Sequence, residues 1–324
     1  MRDSASLPTG VAAFFFESAQ RHRHLEKRLV EHVVGRGFDE VVLPVVDFLE
    51  PYEALLDPAS RGDLYQLVDQ DGNILALRAD FTPMLARLLA PRLPSLEMPL
   101  KLFYRGDVLR RRETRAGQNH EFFQLGAELL GLRGPEAENQ ALHVFLELLR
   151  LTGAPSPRVV LGFAGALDRL LIDAAGEADP AELAAAVARR ERRAARTASP
   201  ALLQVVENGV PDDAEILGRR AAQRLDRLGK LQAELDREFP EIEISVDLAE
   251  FAERVMLREL RERIGARAYY DGLVFKAFAG DSALSVGGGG RYDRLFRKLG
   301  ADVTAAGFGF SLDRLLESLD EVGS

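Results

Sequence analysis

The chain has 324 residues, 47% of them apolar and 29% charged, the makeup of an ordinary globular protein long enough for one large domain or two smaller ones. A formal net charge of −9 argues against a general nucleic-acid surface, and the absence of cysteine excludes disulfides and thiolate metal sites. No apolar run approaches the ~18 residues of a membrane span, and the opening MRDSASLPTG lacks the apolar core of an export signal, so a cytoplasmic location is expected.

From Val11 to Val34, apolar residues at Val11, Phe14, Phe15, Leu25, Leu29 and Val33 follow helical spacing, and Gly35 and Gly37 end the run. A strand interrupted by Pro44 follows over Glu40 to Val46, and a helix feeding such an edge strand suits a dimer seam. His22, His24 and His32 have no carboxylate at ligand spacing and are read as surface residues, not metal ligands. No metal site or cofactor is expected.

The stretch LYQLVDQDGNILALRADFTPMLARLLA reads as a hairpin turned at Asp71 and Gly72, with a second strand over Asn73 to Ala79. A helix then starts with Thr82 as N-cap and Pro83 at the first helical position. Asp80 precedes that cap, where it either supports the helix N-terminus or faces a ligand ammonium.

A wide antiparallel hairpin follows: a strand over Lys101 to Leu109, a basic loop over Arg110 to His120, and a return strand over Glu121 to Leu130. Alternation puts Phe123, Leu125, Ala127 and Leu129 on a core face, and Phe122, Gln124, Gly126, Glu128 and Leu130 on the other. An amide and a carboxylate flanking a glycine suit a pocket floor for a ligand with N–H donors, and equally suit a plain solvated face.

A helix over Ala137 to Leu151 carries a structural His143, and Arg158 to Gly162 is a short strand. Residues 163–240 change character: Ala, Arg, Leu and Glu dominate, and Pro180, Pro200 and Pro211 punctuate helical runs. We read them as a helical insertion in a core made of 1–162 and 241–324. The basic group Arg189 to Arg196 is a solvated helix face. Strands resume at Ile242 to Asp247, and a charged helical stretch leads toward Tyr269.

Arg267 to Phe278 reads as a strand pair turning near Asp271 and Gly272, with Tyr269 and Tyr270 at its start. A strand over Ala283 to Val286 then meets Gly287 to Gly290. Four glycines call for positive φ, a close approach, or a tight bend, and they lack the spacing and lysine of a P-loop. Finally, Ala305 to Ser311 is a small-residue strand leading into a helix over Leu312 to Leu319 that carries Arg314.

These blocks, RADFT, YRGDVLRRRE with FFQLGAELLG, AYYDGLVF, GGGRYD and GFGFSLDRL after an opening helix and proline-bearing strand, resemble in order the catalytic core of histidyl-tRNA synthetase. The resemblance implies an α+β fold of class II aminoacyl-tRNA synthetase type: an antiparallel sheet flanked by helices, dimerising through the first block. It also implies a histidine site made of Asp80 (a glutamate in the synthetases), Thr82, Arg110, Gln124, Glu128, Tyr269 and Tyr270. Arg110 and Arg314 match the arginines that hold ATP.

Two positions depart from that pattern. The synthetase arginine four residues before the tyrosine pair is Gly265 here, and the adenine-reading glutamate two residues after Arg110 is Arg112. Losing a preorganised cation at a developing charge costs about 10² to 10³ in rate. The nucleotide site of Arg110, Arg112 and Arg314 is therefore expected to be vestigial, with no catalytic residue. The chain also ends a few residues after its last core helix, where the synthetases continue into an anticodon-binding domain. These departures resemble the ATP phosphoribosyltransferase regulatory subunits. That family implies a homodimer within a hetero-oligomer with the short catalytic subunit, activation of that subunit, free histidine as ligand, and no role for tRNA. A truncated enzyme that adenylates an amino acid, and a tRNA-binding module using the Arg110 to Arg115 loop, are the competing readings.

Overall fold

A computed structural model describes residues 7–56, 61–111, 119–253 and 270–320. Ten-residue strands β5 (Leu100–Leu109) and β6 (Glu121–Leu130) form the expected hairpin, paired from Leu100 opposite Leu130 to Leu109 opposite Glu121. Around it an eight-stranded sheet runs in the order β1 (Asp39–Glu40), β5, β6, β11 (Ala305–Ser311), β10 (Gly287–Arg291), β9 (Leu273–Phe278), β7 (Arg158–Phe163), β8 (Glu243–Val246). Pairing is antiparallel except at the two margins, where β1 runs parallel to β5 and β7 to β8. A small sheet, β2 (Val46–Phe48), β4 (Ile74–Leu77), β3 (Gln66–Val68), stands apart.

Helices α1 (Phe16–Gly35) and α4 (Glu136–Thr152) contribute Leu25, Leu29, Leu142, Phe145 and Leu149 to the core that covers one face of the large sheet. There Phe145 stacks on Phe310 of β11 at 4.2 Å and meets Phe275 and Phe308 at its edges. Phe123, Leu125, Ala127 and Leu129 of β6 point into this core as the alternation requires. On the opposite face two smaller apolar clusters, one around Leu130 and Ala305 and one around Tyr104 and Val108, flank Gln124 and Glu128.

Parallel β7 and β8 need a crossover, and residues between them supply it as helices Asp168–Ala175, Pro180–Ala188, Arg192–Ala198, Pro200–Asn208 and Arg219–Glu238. Asp179 and Ser199 cap two of these through their side chains, each followed by a proline at the first helical position. Leu171, Val187, Leu202 and Leu235 join the same apolar cluster as the sheet.

Four sequence expectations need correction. The segment around Pro44 is not one strand, because Asp39–Glu40 joins the large sheet and Val46–Phe48 the small one. Buried Arg78 holds the link, donating to the carbonyls of Leu43 (2.8 Å) and Pro44 (3.0 Å) while lying over the Phe81 ring. The first helix begins at Phe16 rather than Val11, and His22 is buried, not superficial: it sits edge-on to Phe123 and 3.3 Å from Asp313. The strand expected over Ala283 to Val286 begins only at Gly287, and the four glycines lie in strand β10, where the close approach of other backbone, one of the causes expected for them, is the one found. A Cβ on Gly287 or Gly288 would come within 2.6 Å of the carbonyls of Gly309 and Phe275, so only bare backbone fits between β9 and β11. The charged stretch before Tyr269, and the first half of the pair proposed over Arg267 to Phe278, lie outside the described residues.

Candidate functional site

Helix α3 (Phe81–Leu89) is capped by Asp80, not by Thr82: the Asp80 carboxylate accepts from the Thr82 N–H at 3.0 Å. Both residues are good caps in isolation. Thr82 lies inside the helix instead, where its hydroxyl donates to Glu128 at 2.8 Å. The buried Tyr52 fixes Asp80 from behind, its hydroxyl donating to the Asp80 carbonyl and accepting from the N–H groups of Ala79 and Asp80. The other Asp80 oxygen lies 3.5 Å from the guanidinium of Arg110, which also donates to the Ala79 carbonyl at 2.7 Å.

On β6, Gln124, Gly126 and Glu128 face the same side and sit opposite Ser311, Gly309 and Gly307 of β11. The glycines make room for what lies above them. A Cβ on Gly307 would strike the Glu128 carboxylate, one on Gly309 the Gln124 amide, and one on Gly126 the Tyr104 ring. The result is a cavity of about 270 Å³ lined by Asp80, Arg110, Gln124, Glu128, Tyr270 and Arg314 among others.

Glu128 is 1% exposed, and three hydroxyls converge on it. Thr82 and Tyr104 donate to one oxygen (2.8 and 3.0 Å) and Tyr292 to the other. Burial pushes its pKa up to about 7, only partly offset by those donors. Tyr104, buried beside this carboxylate and stacked on Phe81 at 4.3 Å, has its pKa raised by burial and stays a neutral donor. Gln124 differs: its amide oxygen is buried and has no hydrogen-bond partner among the described residues. An unmet buried acceptor calls for a ligand N–H.

Arg110 and Arg314 stand over the Phe122 ring, at 5.3 and 5.9 Å from its centroid. Arg314 is anchored by a 2.7 Å hydrogen bond to the Ser285 carbonyl. Asp80, Thr82, Arg110, Gln124, Glu128, Tyr270 and Arg314 are thus brought to one cavity. Tyr269, Arg112 and Gly265 lie outside the described residues. Sequence reasoning missed Tyr104 and Tyr292. Tyr104 follows from alternation, since it stands opposite Gly126, whereas Tyr292 lies in the GGGRYD block but carries no local sign that its hydroxyl reaches Glu128.

Among the described residues no helix is long and apolar enough to cross a membrane. The family model described as histidyl-tRNA synthetase matches residues 10–315. An ATP phosphoribosyltransferase regulatory subunit from Anaeromyxobacter dehalogenans is 34% identical over 98% of this chain and 92% of its own length. One from Symbiobacterium thermophilum is 32% identical over 98% and 81%. Among solved structures, an ATP phosphoribosyltransferase regulatory subunit/histidyl-tRNA synthetase from Bacillus halodurans superposes with a TM-score of 0.79 at 24% identity, covering 98% of this chain and 84% of that one. A histidine–tRNA ligase subunit from Alicyclobacillus acidocaldarius gives 0.76 at 25%, with both chains fully covered.

Proposed function

The chain belongs to the histidyl-tRNA synthetase family, among the ATP phosphoribosyltransferase regulatory subunits, and we propose that it activates a short catalytic subunit and makes it sensitive to histidine. In this reading it is a non-catalytic homodimer within a hetero-oligomer, and the cavity on β6 is its histidine site. The observation that carries the reading is the buried Gln124 oxygen, unpartnered among the described residues, in a cavity that also holds carboxylates and arginines. Free histidine brings ring and ammonium N–H donors for Gln124, Asp80 and Glu128, and a carboxylate for Arg110.

Feedback requires that histidine bind two arrangements of the complex with different affinity. By the resemblance of the sequence blocks, Gly265 and Arg112 take the places of a synthetase arginine and glutamate, a correspondence that supports binding without adenylation. The test is calorimetry with free histidine beside histidine-dependent pyrophosphate exchange. Saturable binding with no exchange is expected. Exchange above background would instead make the chain an adenylating enzyme, and absence of binding would remove the sensor role.

A further inference from the structure

A second cavity, of about 380 Å³, lies where the long helix Arg219–Glu238 of the crossover meets the start of α4 and the end of β10. Five arginines line it: Arg224, Arg227, Arg291, Arg294 and Arg297. Three carboxylates share the wall, leaving among the described residues a surplus of two positive charges in a chain whose net charge is −9.

The carboxylates are already engaged. Asp271 accepts from the N–H groups of Asp293 and Arg294 and from Arg297, Asp293 accepts from Arg291 and from the Ala305 N–H, and Glu138 accepts from the Leu273 N–H at 3.0 Å. Two of the arginines are not matched in this way. Arg224 makes no ion pair among the described residues. Its guanidinium lies 4.8 Å from the centre of the Phe163 ring and reaches only the Ala164 carbonyl, at 3.5 Å. Its pKa is lowered chiefly by burial, the mark of a cation short of compensation. Arg227, one turn further along the helix, is exposed and makes no hydrogen bond or ion pair among the described residues. A smaller cavity of about 200 Å³ adjoins, sharing Arg224, Arg227 and Glu138 and adding the apolar side chains of Phe163, Leu228, Leu231 and Leu273.

We propose that these joined cavities bind a small phosphate monoester, its phosphate between Arg224 and Arg227 and its organic body along Phe163, Leu228 and Leu231. A phosphate monoester carries about −1.5 to −2 charges near neutral pH, close to the surplus here, and guanidinium forks match its oxygens. Arg224 and Arg227 come from the crossover and Phe163 from β7 of the sheet, so the ligand would tie the two together. The site shares no residue with the cavity on β6.

The test is titration of the full chain, at constant ionic strength, with inorganic phosphate, ribose 5-phosphate and a nucleoside 5′-monophosphate, using calorimetry. Wild type is expected to bind the monoesters at least tenfold more tightly than inorganic phosphate. Arg227→Glu, a change at an exposed position whose folding circular dichroism would check, is expected to lower monoester affinity at least tenfold. Arg110→Ala is expected to leave it unchanged. Equal affinity in wild type and Arg227→Glu would overturn the proposal. So would loss in Arg110→Ala alone, or a short single-stranded RNA that binds more tightly than any monoester with a steep salt dependence.

Discussion

Replacing Glu128 with glutamine removes the buried charge while keeping the shape, so its effect can be worked out from the site. The Glu128 pKa rises from 4.5 to about 7 because burial outweighs three hydroxyl donors. A carboxyl raised on folding contributes most while it is protonated in both states, below its unfolded pKa, and that contribution is lost as pH rises through the folded value. At about 1.4 kcal/mol per tenfold change, the full loss is about 3 kcal/mol, of which about 2 falls between pH 5 and pH 8. Glutamine cannot ionise, so Glu128→Gln should gain about 2 kcal/mol on wild type between those two pH values. Urea unfolding of both proteins at pH 5, 6, 7 and 8 measures this directly. A difference that stays flat across the series would refute the claim that Glu128 is held near its titration point by burial.

Other changes probe the site's construction. Gly307→Ala places a methyl group against the Glu128 carboxylate and 2.6 Å from the Ala127 carbonyl, so it should cost about 1 to 3 kcal/mol in urea unfolding and abolish histidine binding by calorimetry. Asp80→Ala should cost about 1 kcal/mol through loss of the α3 cap, whereas Asp80→Asn keeps the cap and should stay within about 0.5 kcal/mol of wild type. Both should weaken histidine binding, because the carboxylate itself is gone. Tyr292→Phe strips one donor from Glu128 and should raise the pKa of that carboxyl, moving the pH-dependent part of stability upward in the same unfolding series.

The hairpin of β5 and β6 was legible because alternation over ten residues fixes both strand and face, and Gln124 and Glu128 came with it. The small glycine-rich strand β10 was not, because glycine disfavours strands locally and the cause sits in the carbonyls of β9 and β11, which no nearby residue reveals. The cap of α3 shows the same limit. Asp80 and Thr82 are comparable by local preference; in the fold Asp80 caps, and the Thr82 hydroxyl is turned to Glu128, 46 residues away. His22 reads as a surface residue on a charged helix until Phe123 and Asp313 close over it. Tyr104, from the middle of β5, and Tyr292, just past the end of β10, meet at Glu128, and for Tyr292 that meeting is set by topology alone.

The central claim is that histidine acts on a catalytic partner through the cavity around Gln124, and the rate of the short ATP phosphoribosyltransferase catalytic subunit tests it most directly. That rate should be measured alone, with this chain, and with Gln124→Leu, across a histidine titration. The wild-type chain should raise the rate and histidine should lower it again, while Gln124→Leu should raise it equally but need at least tenfold more histidine for the same inhibition. A rate indifferent to the chain, or inhibition curves that coincide for the two forms, would contradict the account.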